Sequence, residues 1–228
     1  MYFRGFDPTF IILIPALIMS AWAQFKVKST FQKYSKIRSM NGMTGADVAR
    51  RLLDDEGLFD VPVQHIRGNL SDHYDPVHRV MRLSDSVYNS TSIAAIGVAA
   101  HETGHAIQHK NSYIPLKIRG AIFPVVNFSS KVSWIIFILG FLFSYPTLID
   151  IGILLFTTVV LFQIVTLPVE FNASNRAIAI LENKGILYGN EVEGAKSVLS
   201  AAALTYLAAA LMSILQLVRL LVLSRDRR

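Results

Sequence analysis

Cysteine is absent from all 228 residues, so neither a disulfide framework nor a thiolate metal site is available. Charge is scarce as well. Asp, Glu, Lys and Arg make up 17% of the chain and hydrophobic residues 52%, below and above the usual shares for soluble domains. Internal repeats and low-complexity tracts are missing. The net charge of +6 is not gathered into any nucleic-acid recognition motif or stacking platform, which argues against a nucleic-acid partner. The basic residues lie instead beside apolar runs, as juxtamembrane Lys and Arg do near anionic lipid.

Four runs approach the roughly 20 apolar residues that a helix needs to cross a bilayer: Phe10 to Phe25, Ala121 to Phe143, Leu148 to Leu167 and Leu199 to Leu223. Lys131 in the second run, and Gln216 and Arg219 in the fourth, make those two less secure spans. Between the first and second runs lies a polar stretch that cannot stay in lipid. It is too short for a typical domain, so its core should be completed by the membrane helices. The expected organisation is one domain over 1–228, with a first transmembrane helix in 1–25, an extramembrane catalytic segment in 26–120, and further transmembrane helices in 121–228.

Orientation follows from the flanks. Arg4 is the one basic side chain before the first run, whereas Lys26, Lys28, Lys33, Lys36 and Arg38 follow it. Positive residues stay on the cytoplasmic side, which puts the N terminus outside and the 26–120 segment in the cytoplasm. The turn Ser144 to Thr147 and the later Arg176, Lys184 and Lys196 agree. The tail Arg225, Arg227 and Arg228 does not, because a fourth crossing would carry it outside. Ala21-Trp22-Ala23 resembles a signal-peptidase site, but the charges follow the run rather than precede it, favouring a retained anchor.

The chemistry sits in His101-Glu102-Thr103-Gly104-His105. A helix puts positions four apart on one face, so both imidazoles can hold one metal ion, with Glu102 placed to accept a proton from water. Ser92 to Ala100 leads into the motif as an uncharged apolar helix. Two His and a Glu buried there would be costly without a cation to share. His109 lies on the same face but about 12 Å along the axis from His101, too far to join them. Glu170, just after Pro168 at the foot of the third run, is the stronger third ligand; Glu182, Glu191 and Glu193 sit in or beside a loop-like stretch. Two His and a carboxylate suit Zn2+ with an open fourth position.

Around the motif, Thr44 to Asp55 reads as a helix capped by Thr44 and Asp47 and ended by Gly57. Val61 to Ile66 and Arg79 to Leu83 read as strands joined by a polar turn. The second strand, just before the motif helix, could offer an edge to an extended substrate. His73, Tyr74 and Arg176 are oxyanion donors by residue type.

Ser71-Asp72-His73-Tyr74-Asp75-Pro76, Leu83 to Tyr88, Val98 to Gln108 and Glu170-Phe171-Asn172-Ala173-Ser174 together resemble the membrane-bound neutral zinc metallopeptidases of the YugP type. The resemblance runs from about Gly42 to Ser200. It implies a mainly α membrane protein with a small α+β zincin-like catalytic region, in the plasma membrane of a prokaryote. It also implies Zn2+ held by His101, His105 and Glu170, with Glu102 as general base and with protein or peptide substrates, membrane proteins among them. The layout is similar to the HtpX-type membrane proteases, where an Asp four residues after the Glu ligand supports the site. Here that position is Ser174, which can hydrogen-bond but brings no charge. The alternative is a non-proteolytic scaffold whose zinc is closed off by a fourth ligand such as His73.

Overall fold

The computed structural model describes residues 7–225. The flanking Arg4 and the tail Arg227 and Arg228, on which part of the orientation rests, lie outside the described residues. The elements run α1 (Ile14–Tyr34), α2 (Gly45–Asp55), β1 (Val63–Ile66), β2 (His73–Asp75), β3 (Val80–Ser84), α3 (Ile93–Lys110), α4 (Ile114–Leu142), α5 (Pro146–Asn183) and α6 (Asn190–Arg225), with a 3-10 turn at Pro8–Leu13. Among the described residues the protein is mainly helical, with four helices long and apolar enough to cross a membrane and a small three-stranded sheet.

The long helices outrun the lipid. At 1.5 Å per residue, the 38 residues of α5 extend to about 57 Å against a hydrocarbon core of about 30 Å. The chain divides into two compact units, and each long helix contributes to both: residues 7–23, 118–167 and 205–225 belong to one, and 24–117 with 168–204 to the other.

In the first unit, α4 and α5 approach closely because glycines remove side chains at the crossing. A Cβ on Gly140 would lie 2.7 Å from the Ile149 nitrogen, and one on Gly152 2.9 Å from Phe137. Small residues at such positions let membrane helices pack where the hydrophobic effect no longer drives them together. Arg219, which made the fourth run a doubtful span, is 8% exposed. Its Nη2 meets Asp7 Oδ2 at 2.6 Å, its Nε donates to Thr9 Oγ1 at 3.0 Å, and the guanidinium lies 4.0 Å from the Phe10 ring centroid. The charge is thus matched at the start of the first membrane helix, so α6 carries it without leaving it bare in lipid.

The second unit is built around α3. Ser92 caps the helix by accepting from the Ala95 N–H at 3.2 Å. One side of α3 places Ile93, Ile96 and Ala100 among Leu52 of α2, Ala177 and Leu181 of α5, and Ala195 and Leu199 of α6. Its other side places Ala95, Ala99 and Ala106 among Leu53, Val61, Tyr74, Met81 and Leu83. A helix covered on two sides needs small apolar residues nearly all round, which is what the Ala- and Gly-rich lead-in supplies. Thr44 and Asp47 form the expected capping box on α2, and Gly57 follows it with a positive φ of 69°.

The sheet order is β1-β3-β2, with β1 parallel and β2 antiparallel to β3. The strand before the motif helix is therefore central, and the edges belong to β1 and β2 instead. β2 lies in the stretch expected to form a polar turn. Three residues with alternating exposure carry no periodic signal, and pairing with β3 creates the strand.

Candidate metal centre

His101 and His105 stand one turn apart on α3, their rings 4.8 Å apart and nearly perpendicular at 87°. Across from them α5 brings in Glu170, which is 3% exposed. Pro168 removes one rung of the α5 hydrogen-bond ladder just before it. The two backbones can come this close because residue 104 is glycine: a Cβ there would stand 2.7 Å from the Ala173 carbonyl oxygen.

His101 Nε2 lies 3.3 Å and His105 Nε2 3.5 Å from Glu170 Oε2, and all three ligand atoms fall within 4.8 Å of one another. Ligands about 2.05 Å from a tetrahedral zinc are separated by about 3.3 Å. Both close separations match that edge length. The donor set is also the right one, since two imidazoles and one carboxylate leave a fourth position for water or substrate.

Each imidazole is turned by a bond at its far nitrogen. His101 Nδ1 is 3.1 Å from Ser174 Oγ, the position where a charged support is absent from this sequence. His105 Nδ1 is 3.0 Å from Gln108 Oε1. Gln108 is fully buried, and its Nε2 donates to the Val169 carbonyl at 2.8 Å and to Asn172 Oδ1 at 3.0 Å. A carbonyl can only accept, so Nε2 must face Val169 and Oε1 must face His105. His105 then donates from Nδ1, which leaves the Nε2 lone pair for a metal. Arg176 Nε donates to the same Asn172 Oδ1 at 2.7 Å and extends the chain. Gln108 and Asn172 were legible only as polar residues near the motif. A wholly polar amide in an apolar helix, three residues past a ligand, was the available signal.

Glu102 is 8% exposed, and its Oε2 accepts the Tyr74 backbone N–H at 2.9 Å. Tyr74 pairs with Met81 of β3 on its other side, so this N–H points off the outer edge of β2. The Tyr74 hydroxyl in turn meets His109 Nδ1 at 2.9 Å, the partner that spacing denied to the metal. Asp72 accepts from Ser84 N and Oγ at 2.6 and 2.9 Å; burial, opposed by these bonds, pushes its carboxyl above the usual range.

Other histidines and carboxylates of this unit have contacts elsewhere. His73, exposed on β2, has Nδ1 2.9 Å from the Ser71 carbonyl and Nε2 3.4 Å from Arg82 Nη1. His65 pairs with Asp85 and His78 with Asp75, both at 2.7 Å. Glu191, weighed as a ligand, accepts the Met40 N–H at 2.7 Å, and Glu193 faces Lys196 at 3.7 Å.

A family model described as "Putative neutral zinc metallopeptidase" matches residues 9–225. A protein of Bacillus subtilis (strain 168) named "Putative membrane protease YugP" is 56% identical over 220 residues, covering 96% of this chain and 98% of its own. No solved structure matches. With nearly the whole chain matched and a zinc-type donor set gathered at its centre, the chain belongs to the neutral zinc metallopeptidase family, an integral membrane protein whose metal is Zn2+ and whose substrates are peptides or proteins.

Proposed function

We propose that the chain is a membrane-anchored endopeptidase of the Glu-zincin kind, working at the cytoplasmic membrane surface, with His101, His105 and Glu170 as the zinc ligands and Glu102 as general base. The observation that carries this reading is the convergence of His101 Nε2, His105 Nε2 and Glu170 Oε2 from two helices, with Glu102 one residue from the first ligand. When bound, zinc supplies Lewis acidity toward the scissile carbonyl and toward water. Glu102 does the proton work. With Oε2 held by the Tyr74 N–H, Oε1 is the atom assigned to take the proton from the attacking water and return it to the leaving amine. Arg176, steadied through Nε by Asn172, offers its remaining guanidinium nitrogens to the oxyanion. His73 lies on the other face of β2 from Tyr74 and serves that role less well. The same placement weakens the scaffold alternative, which needs a fourth protein ligand.

An extended substrate would lie along the outer edge of β2, beside the carboxylate it meets. The chain is read as one functional unit, with substrates drawn from membrane proteins and their cytoplasmic loops or tails.

The test is Glu102→Gln, which keeps size but cannot accept the proton. Zinc content and cleavage of an unfolded protein are measured on the same preparation. Full zinc content with activity reduced by about 10²- to 10⁴-fold is expected. Retained activity in the zinc-loaded variant refutes Glu102 as base, and lost zinc points to a structural role.

A further inference from the structure

A cleft of about 570 Å³ opens in the second unit between α1 and α6. Its walls are two helical stripes. On α1 the lining positions are 26, 29, 30, 33 and 34, and on α6 they include 193, 196, 197, 200 and 204, each set following three- and four-residue steps along one helix face. The two stripes present lysines and hydroxyls, with Tyr34, Ala201 and Leu204 as their apolar positions, and the space between them stays open.

The charge in the cleft is lopsided. Lys26, Lys33 and Lys196 face a single acid, Glu193, so three positive charges less one leave two in excess. Lys196 and Glu193 lie 3.7 Å apart, and Lys33 Nζ stands 4.9 Å from the centroid of the Tyr34 ring, so Lys26 and Lys33 are the cleft cations that a ligand's anionic group would meet. Ser29 and Ser197 donate to the Lys26 and Glu193 carbonyls at 3.1 and 2.8 Å, leaving their oxygens able to accept from a hydroxylated ligand.

The cleft also has a direction. Lys26 directly follows the apolar run of α1, and Leu204 and Ala201 form the lining where the apolar part of α6 begins. At the opposite end Gly194 admits the Tyr34 ring, whose Cε1 would lie 2.8 Å from a Cβ at that position, and the ring lines the cleft. An apolar end at membrane level with a basic, hydroxyl-lined body above it matches a phospholipid entering from the bilayer surface, with its phosphate drawn to the lysines.

We infer that this cleft binds the headgroup of an anionic glycerophospholipid. The neighbouring face of the same α6 segment packs on the helix that carries the metal ligands: Ala195 Cβ would lie 3.4 Å from a Cβ on Gly97 of α3, and Gly194 meets Ile93. A lipid seated here therefore braces the α6 segment that packs on α3. The inference rests on the membrane placement of the chain and not on its peptidase chemistry.

The experiment uses the full-length, zinc-loaded, delipidated protein in an uncharged detergent. Its thermal unfolding midpoint is followed while short-chain phosphatidylglycerol, short-chain phosphatidylcholine or inorganic phosphate is added. Phosphatidylglycerol should raise the midpoint saturably and the other two should not. Each lysine near a lipid surface accounts for roughly a fivefold change in affinity, so the Lys26→Ala/Lys33→Ala double variant should bind roughly 25-fold more weakly. The Lys26→Arg/Lys33→Arg variant should bind as the parent does, which separates charge loss from misfolding. An equal response to phosphatidylcholine, or an unchanged affinity in the alanine variant, overturns the inference. So does an equal response to phosphate alone, which would make this a free-phosphate site. The readout is binding, so none of these outcomes bears on the assignment of Glu102.

Discussion

Gln108 Nε2 donates to the Val169 carbonyl at 2.8 Å, and this bond between the motif helix and the Glu170 helix decides which nitrogen of His105 carries the proton. The amide cannot flip without setting its oxygen against the carbonyl oxygen. His105 is therefore held with Nδ1 protonated and Nε2 turned toward His101 and Glu170 before any metal arrives.

Gln108→Met keeps length and volume while removing both ends of that link. His105 Nδ1 and the Val169 carbonyl then lose their partner inside a buried region. Zinc affinity should fall about 10- to 100-fold, the usual effect of removing a group that orients a ligand, measured by competition with a chromogenic chelator. Unchanged affinity in a folded variant would show that the amide does not orient the ligand.

Two glycines of α3 make a matched pair. A methyl at Gly104 would stand 2.7 Å from the Ala173 carbonyl, in the segment that carries Glu170 and Ser174, whereas a methyl at Gly97 would meet Ala195 Cβ at an ordinary 3.4 Å. Gly104→Ala should destabilise by about 1–3 kcal/mol through overpacking and weaken zinc binding by pushing α5 back. Gly97→Ala should be neutral or stabilising by up to about 1 kcal/mol, because alanine is the better helix former. Denaturant unfolding and zinc titration of the two variants side by side would check both signs; equal behaviour would mean that the close approach at Gly104 is not needed.

How much of this was legible in the sequence depends on whether a feature is local. The placement of His101 and His105 on one helix face follows from helical periodicity, and the α2 cap from Thr44 and Asp47. Glu170 was findable because an acid just past an apolar run is conspicuous. The strand β2 was not, since Ser71 to Pro76 has turn composition and becomes extended through pairing with β3 and the Tyr74 contact to Glu102. The Arg219 problem likewise needed Asp7, a partner 212 residues away.

Asp75 predicts a pH effect outside the metal site. The His78 ring and backbone N–H, then Arg82 and the Val77 N–H, hold its carboxyl well below the usual carboxylate range, against a smaller opposing effect of burial. The folded state therefore favours the ionised form. Its contribution is present above the unfolded pKa of about 3.9 and is lost as pH falls below that value toward the depressed folded one. Asp75→Asn should accordingly be less stable than the parent at neutral pH, and the gap between their unfolding midpoints should narrow below about pH 4. A gap that stays constant down to acid pH would contradict the assignment.

The last prediction concerns sidedness. The apolar run of α1 is followed at once by Lys26, Lys28, Lys33 and Lys36, and residues carrying such charge are retained on the cytoplasmic side during insertion. The second unit, with the metal ligands and the outer edge of β2, begins at Gln24 and so should face the cytoplasm. Because the chain has no cysteine, a single thiol can report the side without background. Ser35, exposed at the end of α1, is a suitable position. Ser35→Cys in intact cells should resist a membrane-impermeant thiol reagent and react once the membrane is permeabilised. Reaction in intact cells would reverse the orientation, and would move the expected substrates from cytoplasmic loops and tails to segments on the outer side.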